Sequence, residues 1–200
     1  MRKLVLKMSI TVDGFICGPN GEMDWFLPYR SPEGIAWLTE NLWEADVHIM
    51  GSRAYQDMAA YWPYSDDPIA PPLNEIPKII FSRSGPVTPH AARTTAPLKP
   101  ASPAALAGWT EPTFATGEIV SEITALKQKE GKVIYAHGGV RFAQSLVAHG
   151  LVDEFRFVVT PIAIGRGLSL FSQLPKSLGL KLVSSKSFST GTMANVYVPA

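Results

Sequence analysis

KVIYAHGGVRFAQSLVAHG, residues 132–150, decides the fold. Lys132 to Ala136 is a short run of β-formers that predicts a buried strand, and His137-Gly138-Gly139 ends it. Val140 to His149 continues at helical spacing and Gly150 closes the helix. Strand, glycine turn and helix in that order make half of a parallel crossover unit. The same order occurs upstream, where Val47 to Met50 reads as a strand, Gly51 breaks it, and Ala54 to Trp62 carries Tyr55, Met58, Ala59 and Trp62 at helical spacing.

Working outward, Lys3 to Thr11 alternates Leu4, Leu6, Met8 and Ile10 against Lys3, Val5, Lys7 and Ser9, the period of a strand with one face in a core. Ser31-Pro32 opens a helix that runs to about Glu44, because serine caps free amides and proline suits the first turn. A further helix spans Glu118 to Lys129, with Ile119, Ile123 and Leu126 inward and Gly131 as its stop. Glu154 to Thr160 is a strand, and Leu180 to Phe188 and Met193 to Val198 flank Ser189-Thr190-Gly191 as a hairpin. Prolines 63, 68, 71, 72, 77, 86, 89, 97, 100 and 103 crowd the middle, where only Lys78 to Ser82 reads as a strand. Surface loops explain that stretch better than a linker, so one domain over residues 1–200 is expected. The class is α/β: a mostly parallel central sheet, an antiparallel C-terminal hairpin, and helices on both faces.

Composition excludes several functions. A net charge of +1 with no basic cluster leaves no footprint for nucleic acid or an anionic membrane. Cys17 is the sole cysteine, and His48, His90, His137 and His149 form no HExxH pair, so neither a disulfide nor a transition-metal site is expected. No run reaches the length of a membrane span, and MRKLVLKM lacks the apolar block of a secretory signal, so a cytoplasmic location is expected.

Two junctions, Met50-Gly51-Ser52-Arg53 and Ala136-His137-Gly138-Gly139-Val140-Arg141, put glycine where a strand ends and a helix starts. Free amides, the positive end of the helix dipole and a nearby arginine are chemistry for phosphate, and two such cradles suit a diphosphate. Either junction alone is explained as well by a tight turn. Phe81-Ser82-Arg83-Ser84 surrounds an arginine with hydroxyls, a set that suits an extra phosphate monoester and hence NADPH rather than NADH, although the residue types alone fit a solvated loop equally. The glycine-rich segment from Asp13 to Trp25 reads as a mobile loop beside a site. Asp13, Asp24 and Glu33 are the candidate acids near such a cleft, with Asp13 also readable as the turn residue of an Asp-Gly pair. Trp25, Phe26, Trp37, Tyr55 and Trp62 are the aromatics in reach of a flat ring, Trp25 first among them.

VDGFICGPNGEMDWFLP, PEGIAWL, VHIMGSRAY, KIIFSRS and VIYAHGGVRFAQSL occur in the order and spacing of dihydrofolate reductase motifs, and the chain resembles that superfamily. LVDEFRFVVTPIAIGRGLSLF is more similar to the C-terminal reductase domain of RibD and its stand-alone bacterial relatives. The resemblance implies the three-layer dihydrofolate reductase-like fold and NADPH as cofactor. It implies a pyrophosphate turn at Gly51, Ser52 and Arg53, a ribose-phosphate site at Ser82 and Arg83, and a second glycine turn at Gly138, Gly139, Val140 and Arg141. The loop from Asp13 to Trp25 matches the one that closes over nicotinamide.

One position departs from that pattern. The acid that holds the pterin in true dihydrofolate reductases matches Gly34, which has no side chain, and Glu33 points about a hundred degrees away around the helix. The expected function is NADPH-dependent reduction of a pterin or a ribosylaminopyrimidine such as 5-amino-6-(5-phosphoribosylamino)uracil. Asp13 and Glu33 are then the candidate proton sources, and Trp25 and Asp24 the candidate substrate contacts. A non-catalytic NADPH-binding or sensing protein, and a dihydrofolate reductase with a displaced acid, are the alternatives. No deaminase HxE or PCxxC pattern is present, so the activity would be reduction alone. The resemblance also implies a homodimer.

Overall fold

Leu4, Val5 and Leu6, successive residues of one strand, are all fully buried, which requires cover on both faces of the sheet. That strand is β1 (Leu4–Thr11), and in the computed structural model, which describes residues 1–91 and 99–200, it lies near the middle of an eight-stranded sheet. Pro97, one of the crowded prolines, lies outside the described residues.

The remaining strands of this sheet are β3 (Ala45–Gly51), β4 (Lys78–Phe81), β5 (Thr113–Ala115), β6 (Val133–Ala136), β7 (Glu154–Thr160), β9 (Leu180–Ser187) and β10 (Met193–Pro199). Their order is β5-β4-β3-β6-β1-β7-β10-β9. The first six run parallel, while β10 is antiparallel to both β7 and β9. This is the expected mostly parallel sheet with its C-terminal hairpin. A separate pair, β2 (Phe15–Cys17) and β8 (Leu168–Ser169), lies outside it.

Helices α5 (Ile119–Gln128) and α6 (Val140–Ala148) pack Ile123, Ala143 and Leu146 on the face that carries Leu4, Leu6, Ile49 and Ile134. On the other face, Val5, Met50, Ile80 and Tyr135 meet side chains of α1 (Pro32–Trp43), α2 (Ser52–Ala59), α3 (Ala70–Glu75) and α4 (Pro103–Thr110). Each fully buried aliphatic side chain of this kind contributes about 1.5–3 kcal/mol of transfer free energy.

Several boundaries differ from expectation, each for a local reason. The proline-rich middle contains α3 and α4 as well as β4, because Pro71, Pro72 and Pro103 occupy first turns, where the missing N–H costs nothing. Helix α2 ends at Ala59 instead of Trp62, since Pro63 imposes a 3-10 turn over Trp62–Tyr64. The segment from Asp13 to Trp25, expected to be a mobile loop, holds β2, which is paired to β8, and leads into a 3-10 turn over Asp24–Tyr29. Its tip is closed by hydrogen bonds from Gly18 N to Glu22 O and from Gly21 N to Gly18 O.

Helix α1 is fixed at both ends. Ser31 Oγ accepts from Gly34 N at 3.2 Å, capping the first turn. At the far end the buried guanidinium of Arg156, on β7, donates to Glu154 at 2.7 Å, to Glu44 at 2.8 Å and to Asn41. A buried cation bonded to two carboxylates and an amide oxygen anchors the helix to the sheet, and so sets the position of the wall that α1 lends to the site.

Candidate active site

A cleft of about 1640 Å³ opens along the C-terminal ends of the parallel strands, where ligands of open α/β sheets sit. The Gly51, Ser52 and Arg53 turn after β3, the Ser82 and Arg83 segment after β4, and the Gly138, Gly139, Val140 and Arg141 turn after β6 all line it. The three junctions picked out in the sequence therefore open onto one surface.

The two glycine turns touch. Gly139, at φ +97°, adopts a backbone that L side chains rarely take, and a methyl group there would stand 3.6 Å from Gly51 Cα. A methyl group on Gly51 would stand 2.9 Å from Phe142 Cβ. Helices α2 and α6 start at these glycines, and neither N-cap makes a side-chain hydrogen bond, in contrast to α1 and α4, which Ser31 and Ser102 cap. First-turn amides at both starts are left for a ligand. Arg53, Arg83 and Arg141 flank them, and the buried Ser82 adds a hydroxyl 3.4 Å from that of Ser84. Amide, hydroxyl and guanidinium donors around two helix dipoles fit a dinucleotide with a diphosphate and one further phosphate.

Across the sheet from β4, the cleft reaches β1. Lys7 lines it, with its ammonium donating to Ser9 Oγ at 3.0 Å. Desolvation, and secondarily the charge of Arg30, push this lysine down to about 8. The β1–β6 ladder pairs Leu6 with Ala136, so the next residues, Lys7 and His137, stand side by side on the same face. His137 also lines the cleft, and its ring meets that of the fully buried His48 edge-on at 4.6 Å. Among the described residues no hydrogen bond reaches His137 Nε2, His48 Nδ1, His48 Nε2 or the Tyr135 hydroxyl. Burial, joined by the charges of Lys7 and Lys78, drives His137 well below its ordinary range, so it is a neutral imidazole at pH 7.

The carboxylates and the tryptophan proposed from the sequence stand elsewhere. Asp13 accepts from Thr11 Oγ1 at 2.5 Å, Gly165 N at 2.8 Å and Ile164 N at 3.0 Å, and the Thr11 bond first among these holds its carboxyl below the usual range. Glu33 Oε1 accepts from Ser189 N at 2.8 Å, and hydrogen bonds from Ser189 hold the carboxyl down at about 2. Both are ionised acceptors at neutral pH and neither lines the cleft, so neither has a proton to give there and Glu33 does not stand in for the acid absent at Gly34. Asp24 is exposed, and Trp25 Nε1 donates to Glu22 O at 3.2 Å; neither lines the cleft, although their neighbours Met23 and Phe26 do. Gly34 does line it, and a methyl group there would meet Phe188 at 3.7 Å.

Sequence reasoning passed over Lys7 and His137. Lys7 falls on the more polar side of the β1 alternation, yet that side also carries Val5, which is fully buried. A lysine in line with a core valine, on a strand flanked by parallel strands, was the available signal.

The family model of the RibD C-terminal domain matches residues 2–194. The chain belongs to this family. YyaP of Bacillus subtilis strain 168, a protein of uncharacterized function, is 30% identical over 196 residues, covering 98% of this chain and 94% of YyaP. Among solved structures, a Shewanella sp. PV-4 protein linked by its name to riboflavin biosynthesis superposes with a TM-score of 0.72 at 20% identity, covering 99% of both chains. Dihydrofolate reductase of Enterococcus faecalis, solved with NADP(H), superposes with a TM-score of 0.61 at 13% identity, over 98% of this chain and 96% of that one. At such identities these structures speak for the fold, which is that of dihydrofolate reductase. Among the described residues no helix is long and apolar enough to cross a membrane, and no cluster of His, Cys, Asp and Glu is arranged to hold a metal ion.

Proposed function

We propose that this RibD-type domain is an NADPH-dependent reductase of a small planar heterocycle. The observation that carries the reading is the convergence, in one cleft, of two uncapped helix starts and the Ser82-Arg83 segment with the cationic Lys7 at the opposite end. First-turn amides of α2 and α6, with Arg53 and Arg141, would hold the diphosphate. Ser82 and Arg83 would hold the remaining phosphate, the group that separates NADPH from NADH.

When bound, NADPH would supply a hydride, and with it two electrons, to the carbon of a C=N or C=O bond. Lys7 would complete the reduction. Its ammonium gives a proton to the nitrogen or oxygen of that bond, and the resulting neutral amine recovers a proton from water. A lysine pushed down to about 8 is a stronger acid than an ordinary one, and a value near working pH is what general-acid catalysis needs. Neutral His137 beside it can accept or donate one hydrogen bond and so orient the ring.

Fluorescence titration with NADPH and NADH, followed by an absorbance assay over pterins and aminopyrimidines, tests the reading. Binding of NADPH well ahead of NADH, with turnover that Lys7→Met lowers at least a hundredfold, is the expected result. Failure to bind NADPH at high micromolar concentration would end it. Tight binding with no turnover over the whole panel would favour a sensor of reduced cofactor.

A further inference from the structure

The acceptor half of the cleft has an uneven chemistry. Its floor is polar, with Lys7, Ser9 and His137 from β1 and β6. Its wall and mouth are apolar: Ile35 and Leu38 from α1, Met58 from α2, and Trp62 just beyond it belong to one hydrophobic cluster. Nearer solvent, Met23, Leu27 and Tyr61 are 40%, 53% and 39% exposed. Large apolar side chains that line a pocket while open to water are waiting for apolar cover.

Charge points the same way. Arg53, Arg83 and Arg141 stand at the glycine turns and the β4 end, on the cofactor side. On the acceptor side the cations are Lys7, at the floor, and Arg30, whose guanidinium is already bonded to Asp67. A phosphate carried at the outer end of an acceptor would therefore lie against Met23, Leu27 and Tyr61, lose water, and gain no unpaired cation in return. The floor makes a complementary demand. Lys7 can only donate, and a cation lined up with a neutral imidazole suits a ring oxygen or its enolate. Of the carboxylates that line the cleft, Glu118 stands at the start of α5 and Asp57, beside Met58, is already bonded to His90 Nδ1 at 2.8 Å. Gly34 has no side chain and Glu33 turns away to Ser189, so no unpaired carboxylate is left on this wall to hold a protonated amidine.

Resting on the reductase reading, we infer that the natural acceptor is an oxo-substituted planar ring bearing an uncharged apolar substituent, with its oxygen on Lys7 and its substituent on the wall formed by Met23, Leu27, Tyr61 and Trp62. It is not a sugar phosphate. Two ligands with the same 5-amino-dioxopyrimidine head and opposite tails discriminate: 5-amino-6-(benzylamino)uracil and 5-amino-6-(5-phosphoribosylamino)uracil. Each is titrated into protein saturated with NADP⁺, so that no turnover occurs, with tryptophan fluorescence as the signal. The benzyl compound is expected to bind at least tenfold more tightly.

Equal affinities, the reverse order, or no binding of either compound would overturn the inference while leaving cofactor binding, measured separately, to stand. Absence of NADPH binding would instead remove the reductase reading itself, and the inference with it. Leu27→Lys provides a second readout, because the position is exposed and tolerates a long polar side chain. It is expected to shift the affinity ratio at least fivefold toward the phosphorylated ligand, and an unaltered ratio would count against the apolar wall.

Discussion

Gly139 rests against Gly51: a methyl group at Gly139 would stand 3.6 Å from the Gly51 Cα, so the turns that start α6 and α2 lie in van der Waals contact. Because the Gly139 backbone sits at φ +97°, Gly139→Ala strains the turn at the mouth of both phosphate cradles. The substitution should cost about 1–2 kcal/mol of stability, read from urea denaturation. NADPH binding should weaken by more than tenfold. Gly138 has no positive φ and a methyl group there would make only an ordinary contact, with Met8 Cε at 3.7 Å, so Gly138→Ala is the milder control.

Arg83 tests the cofactor choice. A guanidinium on a phosphate monoester is worth a charge-assisted pair of hydrogen bonds. Arg83→Ala is expected to weaken NADPH binding at least tenfold, or about 1.4 kcal/mol, and to change NADH binding less than twofold. A parallel loss for both cofactors would move Arg83 from the extra phosphate to the shared diphosphate.

Most of the sheet was legible in the sequence because its strands are apolar runs bounded by glycine, as at Val133–Ala136 before Gly138 and Gly139. The phosphate cradles were legible for the same reason, since a glycine at a strand-to-helix junction leaves a mark in composition. What escaped was decided by tertiary contacts. Strand β2 exists because β8, some 150 residues on, pairs with it. Asp13 and Glu33 looked like free acids until Gly165 and Ser189 supplied the amides that occupy them. Lys7 became a site residue only when a helix layer covered the face of β1 on which it stands.

The lysine makes two predictions of opposite sign in one pH range. Lys7 holds its proton less tightly folded, at about 8, than unfolded, near 10.5. The unfolded chain therefore binds more protons between these values, and stability rises with pH across that window. Lys78, also pushed down to about 8 by burial, adds a rise of the same sign. Activity does the reverse. As pH passes about 8 the proton to be delivered is lost, so kcat/KM should fall tenfold per pH unit. Lys7→Met should reduce the rise in stability without abolishing it, because Lys78 remains, and should flatten the alkaline limb of the rate profile.

Asp13 supplies the contrast that separates a fold role from a chemical one. Its carboxylate ties the loop after β7 to the end of β1 through Ile164 and Gly165, and those bonds are stronger to the ionised form. With the folded value held below the ordinary carboxylate range, the stabilisation is complete above the unfolded value near 3.8 and is lost as pH falls through the folded one. Asp13→Ala should accordingly lower the melting temperature at pH 7 and remove part of the acid sensitivity of the fold, with Asp13→Asn intermediate because its side-chain oxygen still accepts. The pH profile of kcat/KM above pH 6 should keep the shape of the wild type. If the alkaline limb instead vanished in Asp13→Ala and survived in Lys7→Met, the proton would come from the carboxyl, and the role given to Lys7 would have to be abandoned.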